Sequence, residues 1–171
     1  TEKSFPSSRT AIVTGGASPR GIGRVTAQRL AAEGWAVAIV DLDAQQAAHV
    51  AAEIADEHGV PTIGVGASVA DEAQIRAAID EIELRMPQIA GLVNIAGVSS
   101  PTDFLEVTAA EWDRVFDVNL RGLYFATRRV AESMVRDGVG RIVSLASISA
   151  ERGGGTFSKA PYSASKAGVI G

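Results

Sequence analysis

The sequence predicts a three-layer α/β/α fold built on a doubly wound parallel sheet, and three observations carry that expectation. Five short runs rich in Val and Ile alternate with longer segments whose apolar residues recur with a helical period. The runs barely alternate between apolar and polar, as strands buried on both faces do. Between the first run and the first helical segment lies a glycine-rich turn, Thr14-Gly15-Gly16-Ala17-Ser18-Pro19-Arg20-Gly21-Ile22-Gly23. A repeated β-α-β order of this kind implies right-handed crossovers within one sheet.

Taken in order, strands are expected at residues 10–14, 35–40, 62–67, 91–95 and 141–146. Helices are expected at 21–33, 44–57, 72–85 and 109–136. Asp43 with Gln46, Asp71 with Gln74, and Thr108 with Glu111 have the spacing of an N-cap and its third helical residue. Gly34, Gly59 and Gly138 stand just past helix ends, where left-handed backbone is needed. The long segment 109–136 carries Trp112, Phe116, Leu120, Leu123, Tyr124 and Phe125. Most of these read as a core-facing stripe, while Tyr124 and the outer face suit a contact with a second subunit, a dimer or tetramer. Asn119 is a poor helix former that prefers local backbone partners, so it points to a kink or a bound water, with a solvated face as the alternative.

At 171 residues the chain has the length of one domain: a polar leader at 1–9, expected to fray, and a folded unit at 10–171. Hydrophobic residues make up 46% and charged residues 21%, the balance of a globular α/β protein. A net charge of −4 gives no reason to expect nucleic acid or an anionic membrane as partner. The longest apolar run, 35–40, is far too short to span a bilayer. Without cysteine there is no disulfide, thiolate metal site or cysteine nucleophile, and without a signal-like start a cytoplasmic location is the default.

The stretch 144–166 carries the chemistry. It reads as the end of a buried strand, a glycine-rich loop, and a helix start with Tyr162 and Lys166 one turn apart on the same face. A phenol ionises near pH 10, so exchanging its proton near neutrality needs a positive neighbour. Ser147 adds a small hydroxyl able to hold a carbonyl oxygen beside that phenol, and the three groups are expected in mutual contact. Upstream, the glycine turn lets backbone N–H groups and a helix N-terminus face a pyrophosphate. Asp41 ends the second strand, where a carboxylate accepts hydrogen bonds from an adenosine ribose and repels a 2′-phosphate, which favours NAD(H). Arg20 in the loop pulls the other way, toward NADP(H). Asn94, Ala96 and Gly97 close the fourth strand; the small residues leave room for a flat ligand, and Asn94 ties neighbouring strands or touches adenosine.

Together these residues resemble the short-chain dehydrogenase/reductase family, from about Arg9 to the last residue. The resemblance rests on the T-G-x-x-x-G-x-G-like loop, N-x-A-G at Asn94 to Gly97, and the ordered set Asn119, Ser147, Tyr162 and Lys166. Among branches the chain is most similar to bacterial 3-oxoacyl-carrier-protein reductases and their polyol and hydroxysteroid dehydrogenase relatives. The resemblance implies a Rossmann-type fold and NAD(P)(H)-dependent interconversion of a small-molecule ketone and a secondary alcohol. Tyr162 is then the general acid or base, Lys166 lowers its pKa and bonds the nicotinamide ribose, Ser147 polarises the substrate oxygen, and Asn119 holds a water leading to Lys166. Cofactor contacts fall to Gly15, Ser18, Arg20, Gly21, Ile22, Gly23, Asp41, Leu42, Ser68, Val69, Asn94, Ala96, Gly97, Tyr162 and Lys166; no metal is implied.

Departures from the family pattern set further expectations. Five residues rather than three separate Gly15 from Gly21, as though Pro19 and Arg20 were inserted. Ser68 stands where many relatives carry an aspartate against the adenine. Relatives continue beyond the Tyr-Lys helix with further strands and a substrate-covering segment. The chain is therefore expected to be a truncated piece, with an exposed fifth strand and weak activity alone. The readings from other classes are a nucleotide-binding module without chemistry and an inert fragment.

Overall fold

A computed structural model describes residues 4–171. Five parallel strands form one sheet: β1 (Thr10–Thr14), β2 (Ala36–Asp41), β3 (Thr62–Gly66), β4 (Ile89–Asn94) and β5 (Arg141–Ser144). Their spatial order is β3-β2-β1-β4-β5, with β1 paired to β2 on one side and β4 on the other. The connecting helices are α1 (Ile22–Ala32), α2 (Ala44–His58) and α3 (Glu72–Arg85). After β4 come a 3-10 turn (Phe104–Glu106), α4 (Ala109–Phe116), a π-helical segment (Asp117–Arg121) and α5 (Gly122–Asp137). A single turn α6 (Ser149–Arg152) and α7 (Ala160–Ile170) follow β5. The Rossmann-type expectation is met.

Successive strand residues explain the lack of alternation. Ile12, Val40 and Leu92 point into a core with Ile75, Ile79, Ile82 and Val130 from α3 and α5. Val13, Val37 and Ile39 point to the opposite core with Ala27, Val50 and Ile54 from α1 and α2. Both faces of β1 and β2 are thus covered, and each fully buried Ile or Val contributes about 1.5–3 kcal/mol. The three expected caps form: Asp43 accepts from Gln46 N–H, Asp71 from Ala73 and Gln74 N–H, and Thr108 from Glu111 N–H. Gly34, Gly59 and Gly138 all have positive φ, as their positions require.

Four local expectations need correction. The leader folds back from Ser4 onward: Phe5 meets Trp35 edge-on at 5.3 Å, and the Arg9 guanidinium lies 4.4 Å over the Trp35 ring. Trp35 lies outside β2, which begins at Ala36, because its N–H donates to Leu30 O at 3.1 Å at the end of α1. The long helix is interrupted, because Gly122 N–H donates to Asp117 O and one wide π turn surrounds Asn119. β4 starts earlier than expected, at Ile89. The fifth strand is exposed, as expected, with Val143 58% accessible, because only β4 flanks it. Among the described residues no helix is long and apolar enough to cross a membrane.

Candidate functional site

The carboxyl ends of the strands open on a cavity of ≈ 490 Å³ at the point where the chain reverses direction across the sheet. The glycine-rich turn forms its floor. Gly15 has φ +72°, and a Cβ there would lie 2.7 Å from the Ala96 Cα, so only glycine lets β1 pass so close to β4. A Cβ on Gly23 would lie 2.3 Å from the Gly15 carbonyl oxygen, so glycine is what lets α1 start against the strand. The two additional residues in the turn are absorbed locally: Gly21 N–H donates to Ser18 O at 3.1 Å, and Pro19 and Arg20 form the exposed tip of a tight turn.

Electrostatics distinguish this end of the fold. α2, α3 and α4 have their first N–H groups capped by Asp43, Asp71 and Thr108. α1 has no side-chain cap and no acidic residue in its first turn. Its orphan N–H groups and positive end therefore face the cavity unmet, which is the condition for holding a pyrophosphate. At the far end of the cavity stands Asp41, whose Oδ2 accepts from Ala17 N–H at 2.9 Å and Oδ1 from Leu42 N–H at 2.8 Å.

Of the residues assigned to cofactor, Gly15, Ser18, Gly21, Ile22, Asp41, Leu42, Ser68, Val69, Ala96 and Gly97 line the cavity. Arg20 is exposed at the turn tip and Gly23 lies buried behind it. Asn94 is 4% exposed and does not reach the cavity; its Nδ2 donates to Thr127 Oγ1 at 3.0 Å and Ser144 Oγ at 3.3 Å. Of the two roles open to Asn94, the tie between strands is the one this geometry displays. Ser68 offers its backbone N–H to Gln74 Oε1 at 3.0 Å, so α3 rather than an acidic side chain braces that wall.

Tyr162 and Lys166 occupy α7, whose first turn contains Pro161. Lys166 is 4% exposed, and its Nζ donates to the Leu145 carbonyl oxygen at 2.6 Å. Leu145 lines the cavity, so the ammonium is anchored at its back wall. Burial pushes the Lys166 ammonium below the usual lysine range. The Nζ is 5.9 Å from the centre of the Tyr162 ring. Ser147 stands at the start of the same loop, with its Oγ accepting from Ser149 N–H at 3.2 Å. Among the described residues no hydrogen bond joins the Tyr162 hydroxyl to Lys166 or Ser147; the lysine is anchored on Leu145 O and the serine on Ser149 N–H.

Asn119 is 1% exposed and its amide is committed to protein. Its Oδ1 accepts from Val98 N–H at 2.8 Å, and its Nδ2 donates to Val98 O and Ser165 Oγ, each at 3.0 Å. Ser165 in turn donates to the Tyr162 carbonyl oxygen at 2.8 Å. This chain of bonds ties the π turn to the end of β4 and to α7. Two residues given no role of their own in the sequence reading thus help build the site. Ser165 lies between Tyr162 and Lys166, and Thr14 accepts from Ile95 and Ala96 N–H at 3.1 and 3.3 Å, clamping β1 to β4. Ser165's place inside the Tyr-Lys turn was the available signal. The segment after β4 is pinned by Glu111, which accepts from Ser100 and Thr102; those bonds hold its carboxyl below the usual range.

Comparison with known proteins agrees with this geometry. The family model described as short chain dehydrogenase matches residues 9–171. The chain is 41% identical over 164 residues to 2-dehydro-3-deoxy-L-rhamnonate dehydrogenase (NAD(+)) of Sphingomonas sp. strain SKA58, covering 95% of this chain and 62% of that protein. It is 36% identical over 163 residues to the 3-oxoacyl-acyl-carrier-protein reductase of Aquifex aeolicus, covering 95% and 64%. The crystal structure of a 3-ketoacyl-ACP reductase from Sinorhizobium meliloti 1021 superposes with a TM-score of 0.88 at 32% identity, covering 94% of this chain and 62% of that one. The chain thus spans less than two thirds of the length of these relatives. With the glycine turn, the uncapped α1 and the Tyr162–Lys166 helix in place, the chain belongs to the short chain dehydrogenase family.

Proposed function

We propose that this chain binds a nicotinamide dinucleotide, NAD(H) in preference to NADP(H), and serves the interconversion of a ketone and a secondary alcohol. The observation that supports the reading is α7: its buried Lys166 is anchored on Leu145 O at the cavity wall, with the centre of the Tyr162 ring 5.9 Å from the Nζ. The cavity fits the cofactor, since its floor is backbone with unmet helix N–H groups and its far end bears the Asp41 carboxylate. When bound, the nicotinamide supplies or accepts the hydride. The chain's own residues manage the proton and the geometry.

In reduction the Tyr162 hydroxyl gives its proton to the carbonyl oxygen; in oxidation the phenolate takes it back. Lys166 holds its ammonium beside the Tyr162 ring, anchored on the Leu145 carbonyl oxygen. Ser147 orients the substrate oxygen. The Asn119 side chain has no hydrogen left for a water, so its part is to hold Val98 and, through Ser165, the backbone at Tyr162. Asp41 carries the preference for NAD(H), because a 2′-phosphate would meet its negative charge. Self-association as a dimer or tetramer belongs to the same reading, supported by Tyr124, which is 54% exposed on α5.

The test uses Tyr162→Phe, with a 3-oxoacyl substrate and 2-dehydro-3-deoxy-L-rhamnonate as the first candidates. The expected outcome is a turnover loss of about 10²–10⁴-fold with NADH binding retained. A variant that turns over like the parent would remove Tyr162 from the mechanism. A parent chain that binds NADH but neither reduces the 3-oxoacyl substrate nor, with NAD(+), oxidises 2-dehydro-3-deoxy-L-rhamnonate, and that turns over nothing in a wider panel of ketones and alcohols, would favour the binding-module reading.

A further inference from the structure

We propose that Asp41 has a second role as the positioning residue of the glycine-rich turn, coupling the adenosine end of the cavity to its pyrophosphate end. This rests on the cavity being the dinucleotide site. The carboxylate is held at both oxygens, by Ala17 N–H at 2.9 Å and by its own neighbour Leu42 N–H at 2.8 Å. Two bonds on different oxygens fix its rotamer, and each oxygen keeps capacity to accept from a ligand. Among the described residues, no other hydrogen bond ties residues 16–20 to the sheet. The turn is otherwise closed on itself, through Gly21 N–H to Ser18 O, and is joined to β2 just before it, through Gly15 N–H to Val40 O at 2.8 Å.

The Ala17 methyl is buried with Val13, Val37 and Ile39, so the residue is gripped from the core by its side chain and from β2 by its amide. A charge-assisted bond of this kind is stronger than one between neutral groups. Without it the lengthened Ser18–Gly21 turn would swing on the Ala17 backbone, and the amides at the start of α1 would lose their aim. The consequence concerns cofactor choice. Replacing Asp41 by a small neutral residue removes the repulsion of a 2′-phosphate, yet it also loosens the pyrophosphate cradle. The variant therefore weakens for both NADH and NADPH instead of exchanging one for the other.

The experiment compares ADP with 2′,3′-dideoxy-ADP, which has the pyrophosphate and lacks both ribose hydroxyls, by calorimetry on the 171-residue chain and its Asp41→Ala and Asp41→Asn variants. Asp41→Ala is expected to weaken dideoxy-ADP about tenfold. Asp41→Asn falls between, because one amide oxygen serves only one of the two N–H groups. If the variants weaken ADP and leave dideoxy-ADP unchanged, the positioning role is overturned and the ribose contact stands. If the parent binds the two ligands equally and Asp41→Ala weakens both, the ribose contact falls and the positioning role stands. Amide exchange of the unliganded protein gives a readout free of ligand: Ala17 N–H is expected to exchange at least about tenfold faster in Asp41→Ala, and unchanged protection overturns the proposal.

Discussion

Replacing Glu83 by Gln tests the ion cluster that fastens α3 to α5. Arg129, 8% exposed, donates to Asp80 at 2.8 Å and to Glu83, while Ser133 and Arg136 also bond Glu83. Burial by itself would push the Glu83 carboxyl up, but hydrogen bonds from Arg129, Arg136 and Ser133 and the charge of Arg129 bring it down to about 2 from 4.5. That displacement corresponds to about 3 kcal/mol between the two protonation states. The side chain keeps 25% exposure, and solvent screening reduces the effect to about 2 kcal/mol. The folded-state pKa is depressed, so the stabilisation is complete above the unfolded value near 4.5 and disappears as pH falls through about 2. Urea unfolding should therefore find Glu83→Gln about 2 kcal/mol less stable at pH 7, equivalent to about 4–8 °C in Tm. The gap should close as both proteins are taken from pH 4.5 toward pH 2. A variant as stable as the parent at pH 7, or a deficit that does not change with pH, would refute this account of the cluster.

The other predictions concern the site itself. Lys166→Met should abolish turnover and yet raise Tm by about 2–4 °C, the equivalent of about 1 kcal/mol, because burial disfavours the ammonium in the folded state at every pH below its folded pKa. The benefit should fade as pH rises toward 10.5, where the unfolded lysine also loses its charge; a lower Tm at pH 7 would mean that the bond to Leu145 O outweighs desolvation. Gly23→Ala should cost more than about 2 kcal/mol and weaken ADP binding, since its methyl would overlap the Gly15 carbonyl. Equal denaturation midpoints for parent and variant would show that α1 moves aside freely.

Much of the site was readable because its signals are local. Gly15 and Gly23 are demanded by a turn whose geometry is settled within a dozen residues, and Tyr162 and Lys166 share a face by helical spacing alone. The tie of Asn94 to a neighbouring strand was readable as one of two roles, but the particular partners of Asn94, Asn119 and Glu83 were not. Their partners, Ser144, Ser165 and Arg129, lie 50, 46 and 46 residues away along the chain. Asn119 did point to a kink, and the wide π turn lies there; what escaped is that its amide is satisfied by Val98 and Ser165, which the sheet and α7 bring to it. Trp35 reads as strand by residue type, but its N–H is taken by Leu30 O at the end of α1 and its ring by Phe5, in a segment expected to fray.

The order of strands and helices, the caps, the turn at the head of α1 and the residue types at the carboxyl edge are written in the sequence itself, since each follows from hydrophobic period, backbone freedom or side-chain length acting over a few residues. Which hydroxyl serves which amide, how the Asp41 carboxylate reaches the Ala17 N–H, and why Lys166 is anchored on Leu145 were decided only in three dimensions. Buried polar groups must find a partner, and the partner within reach is set by how distant segments stack on the sheet.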